Sequence, residues 1–382
     1  IIQRDIQFSN QVADMAHRLV DVLAQPINCG DGLILRTGAS VGIALCPAHG
    51  TDIETIISRA DTALYKAKSL GRNTFCIFEQ GMDEAVRKRQ RLEADLSAAI
   101  EEEQFELYLQ PRLDIATQQI KSYEALIRWN HPVKGLIMPG DFIPVAEQSN
   151  RIVAIGEWVL RRACAIASAD LEDERISVNV SPLQFREKDF VETVRTTLEA
   201  ASLDPSRLEI EITENVLIDD DKHALRILKE LKGLGVRVAL DDFGTGYSSL
   251  GYLSRFPFDA IKIDRTFVQA IQQTENALAI VETIVRLGRA LGMAIVAEGV
   301  ETIEELQLLA GEGCNEIQGY LVGRPEPLSR LCKVPPQEVI EALDAGSSEL
   351  ISQLKSIAAQ MRGSEVRDAR EEEARRKRKA GS

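Results

Sequence analysis

The chain has 382 residues, 45% of them hydrophobic, which is enough for two domains or one large α/β domain with attachments around a sizeable core. A formal net charge of −14 argues against a general nucleic-acid or membrane-surface binder, which needs basic patches to meet phosphates. The longest apolar runs are strand-sized, far short of the roughly 20 residues that span a bilayer, so no membrane contact is expected.

The chain opens at Ile1 with neither Met nor a charged leader, and is therefore expected to be a fragment of a longer protein. Cys29, Cys46, Cys76, Cys164, Cys314 and Cys332 form no Cys-x-x-Cys pair. Buried reduced thiols are expected, as suits a cytoplasmic protein. His17, His49, His131 and His223 lie in no ligand spacing, so a metal site must use oxygen donors and take a hard cation such as Mg²⁺ or Mn²⁺.

In chain order, residues 1–80 read as an α+β module of helix, hairpin, helix and strand, with the hairpin in "LILRTGASVGIALCP". Its second helix carries apolar residues at Ile56, Ile57, Ala60, Leu64 and Ala67, with Asp52 as cap and Gly71 just past the end. Residues 81–103 turn strongly charged, with Leu92, Leu96 and Ile100 at four-residue spacing, and read as an amphipathic linker helix. Residues 104–340 hold eight strand-like runs: "FELYLQP", "SYEALIRW", "ISVNVSP", "LEIEITE", "RVALDDFG", "AIKIDRT", "AIVAEGV" and "IQGYLVG". Amphipathic segments with Gly at C-cap positions lie between most of them. Repeated strand–helix units predict an α/β fold, a TIM-like (β/α)₈ barrel, with a doubly wound open sheet as the alternative. Residues 341–382 end in a charge-dense tail that reads as solvated.

Polar residues able to do chemistry fall one per run: Gln110, Glu124, Asn179, Glu211, Asp241, Lys262, Glu298 and Gln318. In a (β/α)₈ barrel, strand ends share one mouth, so these groups converge although they are far apart in sequence. Buried carboxylates cost several kcal/mol unless paired or metal-bound, and Lys262 alone cannot neutralise this set. Glu124, Asn179, Glu211 and Asp241 could hold one cation. Asp242 and Glu298 could recruit a second, with Asp241 bridging, as an in-line displacement at phosphorus would use.

Blander roles stay open: Asp241 or Asp242 as the cap of a helix near Ser248, Lys262 with Asp264 as a structural ion pair, and Arg128 as a bridge across the barrel rim. The "DFG" triplet lacks the other protein-kinase elements, and "GTGYSSLG" does not follow the dinucleotide fingerprint.

The motifs "LYLQP", "YEALIRW", "PGDFIPVAE", "VNVSPLQF", "EITEN", "LDDFGTGYSSL", "IKIDRTFV", "VAEGVET" and "QGYLVGRP" occur in the order of the EAL-domain family of bacterial cyclic di-GMP phosphodiesterases, and residues 87–336 resemble it. The resemblance implies a (β/α)₈-like barrel with one early strand antiparallel. It implies Glu124, Asn179, Glu211 and Asp241 as metal ligands, with Asp242 and Glu298 serving a second Mg²⁺ or Mn²⁺. Glu298 and Lys262 would activate or hold the attacking water. Gln110, Arg128 and Gln318 would contact substrate or support the site together with Asp264, and Glu214 and Glu301 would hold a mobile loop after Asp241. The implied reaction opens cyclic di-GMP to linear pGpG; the alternative is a catalytically silent cyclic di-GMP receptor. A homodimer through the barrel is expected, and no nucleic-acid polymer.

"ASVGIALCP" and "RADTALYKAKSLGRN" resemble the C-terminal half of the GGDEF diguanylate cyclase domain, without its signature turn. The other half of that domain and a sensory domain are expected to precede Ile1. Deleting residues 1–80 should therefore leave hydrolysis of cyclic di-GMP largely intact. Complete loss of turnover on truncation would refute this division of labour.

Overall fold

The structure is a computed structural model describing residues 9–345 apart from 30–33, 36, 72, 219–220, 245–252 and 254. The loop after Gly244, with the cap and homodimer readings attached to it, and most of the 341–382 tail lie outside the described residues. The chain forms two compact units, Ile1–Ala98 with Asp141–Ser149, and Ala99–Gly140 with Asn150–Ser382.

The first unit carries helix α1 (Ser9–Leu23), β1 (Ile27–Asn28), β2 (Ile34–Leu35), β3 (Val41–Ile43), α2 (Ile53–Ser69) and β4 (Phe75–Ile77). Among the described residues, no strand pairing joins the two arms of the hairpin expected within 33–47. Instead β2 pairs antiparallel with β1, and β3 pairs parallel with β4 across α2. Parallel strands need a crossover, and α2 supplies it. The helix is capped as predicted, with the Thr55 N–H donating to Asp52 Oδ1. It packs onto Gly42, where a Cβ would stand 2.1 Å from the Ala60 carbonyl, so no side chain is tolerated there. Helix α3 (Met82–Glu101) occupies the predicted linker, with Leu92 and Leu96 buried.

The second unit is the barrel. Its strands are β5 (Phe105–Asp114), β6 (Gln119–His131), β8 (Arg175–Asn179), β9 (Leu208–Thr213), β10 (Arg237–Phe243), β11 (Ala260–Ile263), β12 (Ala294–Ala297) and β13 (Glu316–Gln318). The sheet order β5-β13-β12-β11-β10-β9-β8-β6, with β5 also pairing β6, closes the ring. β7 (Gly135–Ile137) and β14 (Glu326–Pro327) add short antiparallel edges to β6 and β5. All eight predicted runs form the ring.

The reversed strand is β5, antiparallel to both β6 and β13. Its four-residue connection to β6, residues 115–118, has no room for a crossover helix. Asp114 Oδ1 closes that turn by accepting from the Thr117 N–H at 2.7 Å. Gly292 and Gly313, both in the left-handed region, terminate the helices Glu275–Leu291 and Ile303–Glu312 as the Gly placement predicted.

Alternation along the strands separates two environments. On β9, Leu208, Ile210 and Ile212 face the surrounding helices, while Glu209 and Glu211 face the lumen, all fully buried. Ala239, Ala260 and Ala294 are register neighbours on β10, β11 and β12. They pack with Val296 into one small apolar cluster, while Arg112 of β5, 1% exposed, crosses the lumen to reach Glu209 and Glu211.

The cysteine expectation holds in part. All six thiols are free, but only Cys164 and Cys314 are buried, while Cys29, Cys46 and Cys332 are exposed because they sit in connections outside the cores.

With the lumen filled by charged side chains, Ala239→Leu should overpack it and cost about 1–3 kcal/mol. Urea unfolding checks this: the midpoint should fall with the slope unchanged. An unshifted midpoint would mean the lumen has spare room.

Candidate functional site

At the barrel mouth the strands converge on one ammonium group. Lys262 of β11, fully buried, points its Nζ at Glu298 Oε1 (2.5 Å), Glu211 Oε2 (2.6 Å), Asp241 Oδ1 (3.4 Å) and Glu124 Oε2 (3.7 Å). These acids come from β6, β9, β10 and the end of β12. Glu124 also accepts from Asn179 Nδ2 at 2.5 Å and from Gln318 Nε2 at 2.5 Å. Gln318 Nε2 donates to Gln110 Oε1 at 3.1 Å, and Gln110 Nε2 donates to the Gly323 carbonyl. Thus the eight polar residues predicted one per run meet in a single cluster.

The neighbouring acids Asp241 and Asp242 would point to opposite faces of a regular strand. They do not, because β10 is irregular there. Its register with β11 shifts between Leu240 and Phe243, and Asp242 adopts φ 55°, in the left-handed region that Asp tolerates better than most residues. The bulge turns the second carboxylate toward the mouth. Ligand atoms of Asp241, Asp242 and Glu298 consequently lie within 4.8 Å of one another, close enough to hold a metal ion.

One ammonium serves too many acids. Burial opposes the charge of Lys262, yet Asp241, Glu124, Glu211 and Glu298 hold it well above the ordinary lysine range. Burial also disfavours ionisation of Glu124, but Lys262 and the amide donors of Gln318 and Asn179 hold that carboxyl below its usual range. Glu211 and Glu298 fare differently. Burial, reinforced by Glu124 and Asp241, pushes both up to about 8 against the pull of Lys262. Asp242 is raised as well, by burial and by Asp241 and Asp264. All the donors are oxygens, and Gln318 Oε1 is buried without a protein partner. Such a set fits a hard divalent cation.

The remaining predicted residues surround this cluster. Glu214 Oε1 accepts from the Gly244 N–H at 3.1 Å, at the start of the loop it was expected to hold. Glu301 lines a recess at the mouth beside Glu298, and its N–H donates to Glu305 Oε2. Asp264 is not the ion partner of Lys262. It caps the helix Arg265–Ala270 by accepting from the Thr266 N–H, and the four closer acids claim the lysine. Nor does Arg128 bridge the rim by an ion pair among the described contacts. It donates to the Ile127 carbonyl and stacks 5.3 Å from the Tyr108 ring centroid.

Sequence reasoning missed the groups beneath and around the mouth. Arg112, Glu209 and Glu316 form a buried ionic tier below Glu211. Arg265, Gln269 and Tyr320 line the recess beside Glu298, and its volume is about 250 Å³. The charged alternate positions in "LEIEIT" were the available signal for the lower tier.

The fold and site define a mixed α/β barrel with an oxygen-donor centre at its mouth that could hold a cation. The chain belongs to the EAL domain family, which residues 93–325 match. Residues 1–74 match the diguanylate cyclase GGDEF domain. Among relatives, the bifunctional diguanylate cyclase/cyclic di-GMP phosphodiesterase MucR of Pseudomonas aeruginosa is 43% identical over 84% of this chain and 47% of its own length. The cyclic di-GMP phosphodiesterase PdeR of Escherichia coli is 40% identical over 82% of this chain and 48% of its own length. The chain thus spans less than half of these relatives. A solved structure described as "PaMucR Phosphodiesterase, c-di-GMP complex" is 45% identical, with a TM-score of 0.61 over 63% of this chain and all of that one. No helix among the described residues is long and apolar enough to cross a membrane.

The raised carboxyls predict a pH dependence. Between their ordinary value of 4.5 and about 8, folded Glu211 and Glu298 hold protons that the unfolded chain has released. Cation-free stability should therefore fall as pH rises through that window. A divalent cation must displace those protons, so added Mn²⁺ should raise the melting temperature more at pH 8.5 than at pH 6. Melting curves with chelator and with Mn²⁺ at both pH values check this, and an equal or larger shift at pH 6 would contradict it.

Proposed function

We propose that this chain is a metal-dependent phosphodiesterase that hydrolyses cyclic di-GMP to linear pGpG in bacterial second-messenger signalling. The observation that carries this reading is the acidic cluster around Lys262, with Asp241, Asp242 and Glu298 within 4.8 Å, in a chain whose relatives include named cyclic di-GMP phosphodiesterases.

Charge favours divalent cations. With Glu211 matched from below by Arg112, Glu124, Asp241, Asp242 and Glu298, once ionised, bring four negative charges against the one of Lys262, an excess that bound divalent ions would offset. Glu124, Asn179, Glu211 and Asp241 would hold one ion; Asp242 and Glu298 would hold the other, with Asp241 shared. Bound there, Mg²⁺ or Mn²⁺ would act as Lewis acids on a water and on the phosphodiester, easing charge on the attacking and leaving oxygens.

The chain's own groups do the rest. Lys262 Nζ and Glu298 Oε1, 2.5 Å apart, form a donor–acceptor pair that can hold the attacking water and receive its proton. The water oxygen bonds to phosphorus as the bond from phosphorus to the 3′ oxygen breaks, and that oxygen takes up a proton to become a hydroxyl, which leaves a 5′ phosphate on a linear dinucleotide. Gln110 and Gln318 keep Glu124 oriented from the opposite side. Glu214 fixes the backbone at Gly244 and so the end of the bulged strand that carries both aspartates. A recess of about 250 Å³ is smaller than the roughly 300–1,000 Å³ that encloses a whole drug-sized ligand. It suits the reacting phosphodiester, with the bases resting on the rim near Tyr320 and Arg128.

Incubation with cyclic di-GMP and Mg²⁺, Mn²⁺ or chelator, followed by chromatography of the product, tests the assignment. pGpG should accumulate only with a divalent cation. Asp241→Ala should cost more than the roughly 10–100-fold loss typical of outer-shell partners, because no nearby group replaces a shared ligand. Turnover that persists in chelator would sink the two-cation mechanism, and binding without turnover in the presence of cations would identify a receptor.

A further inference from the structure

Arg112 lies outside every group assigned to the reaction, yet its contacts reach into it. It makes four hydrogen bonds: Nε (3.1 Å) and Nη2 (2.9 Å) to Glu316 Oε2, and Nη1 to Glu209 Oε1 (2.8 Å) and Glu211 Oε1 (3.0 Å). The other oxygen of Glu211 receives Lys262 Nζ at 2.6 Å. This carboxylate, fully buried, is therefore gripped at each end by a different cation.

Arg112 is itself held. Glu316 also pairs with Arg175, and Glu209 with Arg237 Nε at 3.2 Å. Three arginines thus face three glutamates, Glu209, Glu211 and Glu316, so the tier below the mouth is balanced in charge. The planar guanidinium presents its donors in a rigid fork, which a lysine ammonium cannot copy. A glutamate has enough rotamers to swing away from a site, and one oxygen pinned from below removes that freedom.

We propose that Arg112 is a positioning residue: from inside the barrel it fixes Glu211 Oε1 and so aims Oε2 at Lys262 and the cation-binding mouth, which sets the affinity of that mouth for divalent ions. The inference rests on the metal-dependent reading above. Its direction is informative, because a positive charge near the mouth by itself repels cations. If Arg112 acted only through charge, its removal would tighten cation binding. If it were only a strut, removal would lower thermal stability and leave cation affinity unchanged.

The test is direct Mn²⁺ titration of the full chain without substrate, by calorimetry or by the electron paramagnetic resonance signal of free Mn²⁺. Arg112→Gln should weaken Mn²⁺ binding about 10–100-fold, the usual cost of losing an outer-shell partner. Arg112→Lys should weaken it less. Glu316→Gln, which strips the charge from the acceptor of two of the four bonds but leaves Glu211 paired, should shift affinity in the same direction even if both Arg112 variants fail to fold. Arg175→Gln, which touches Glu316 without reaching Glu211, should lower the melting temperature only. Wild-type or tighter Mn²⁺ affinity in the folded Arg112 variants, or in Glu316→Gln if neither folds, overturns the positioning role. A wild type that binds no Mn²⁺ instead sinks the metal-dependent reading, and the positioning role with it.

Discussion

The barrel is organised around the problem of keeping carboxylates out of water. An isolated buried charge is costly, and its partners must be close, well aimed and numerous enough. Here the lumen holds two tiers. In the lower one, Arg112, Arg175 and Arg237 match Glu209, Glu211 and Glu316. In the upper one, Lys262 faces four acids, of which Arg112 shares Glu211. The lower tier is closed electrostatically and acts as a floor. The upper tier is left short of positive charge, and that shortage makes it a site.

Glu211 belongs to both tiers and links their chemistry. Its two oxygens answer to different cations, so the geometry of the mouth depends on what lies beneath it. A purely apolar barrel core could hold the strands together but could not orient a carboxylate. The small residues Ala239, Ala260 and Ala294 add a compact apolar patch on neighbouring strands β10, β11 and β12. Backbone irregularity completes the mouth. The bulge at Asp242 spends a left-handed conformation to bring two adjacent acids to one side, as functional sites often do.

Much of this was legible from residues. The eight ring strands could be read because each is a short apolar run bounded by turn or helix signals, and the cluster because each run carries one polar residue that a core strand has no use for. The reversed strand was legible only by resemblance, although the four-residue connection after Asp114 contained the physical reason. Arg112 was not legible. In "QPRLD" it stands between a proline and a leucine, with no acid beside it, and its partners lie about 100 and 200 positions away. The hairpin expected near residues 33–47 is not seen among the described residues for a related reason: local alternation proposes a strand but does not choose its partner, and β3 chose β4 across a helix.

Sequence alone determined the strand and helix periods, the excess of acids over bases at the strand ends, and membership in a family with recognisable motifs. These properties are carried by single residues and their near neighbours. Tertiary structure decided which acids share Lys262, which face Arg112, that Asp264 caps a helix while Asp242 turns into the mouth, and that Arg128 stacks on Tyr108. Those outcomes depend on closure of the ring, which brings strands from opposite ends of the chain within hydrogen-bond distance. No spacing along the chain encodes that distance.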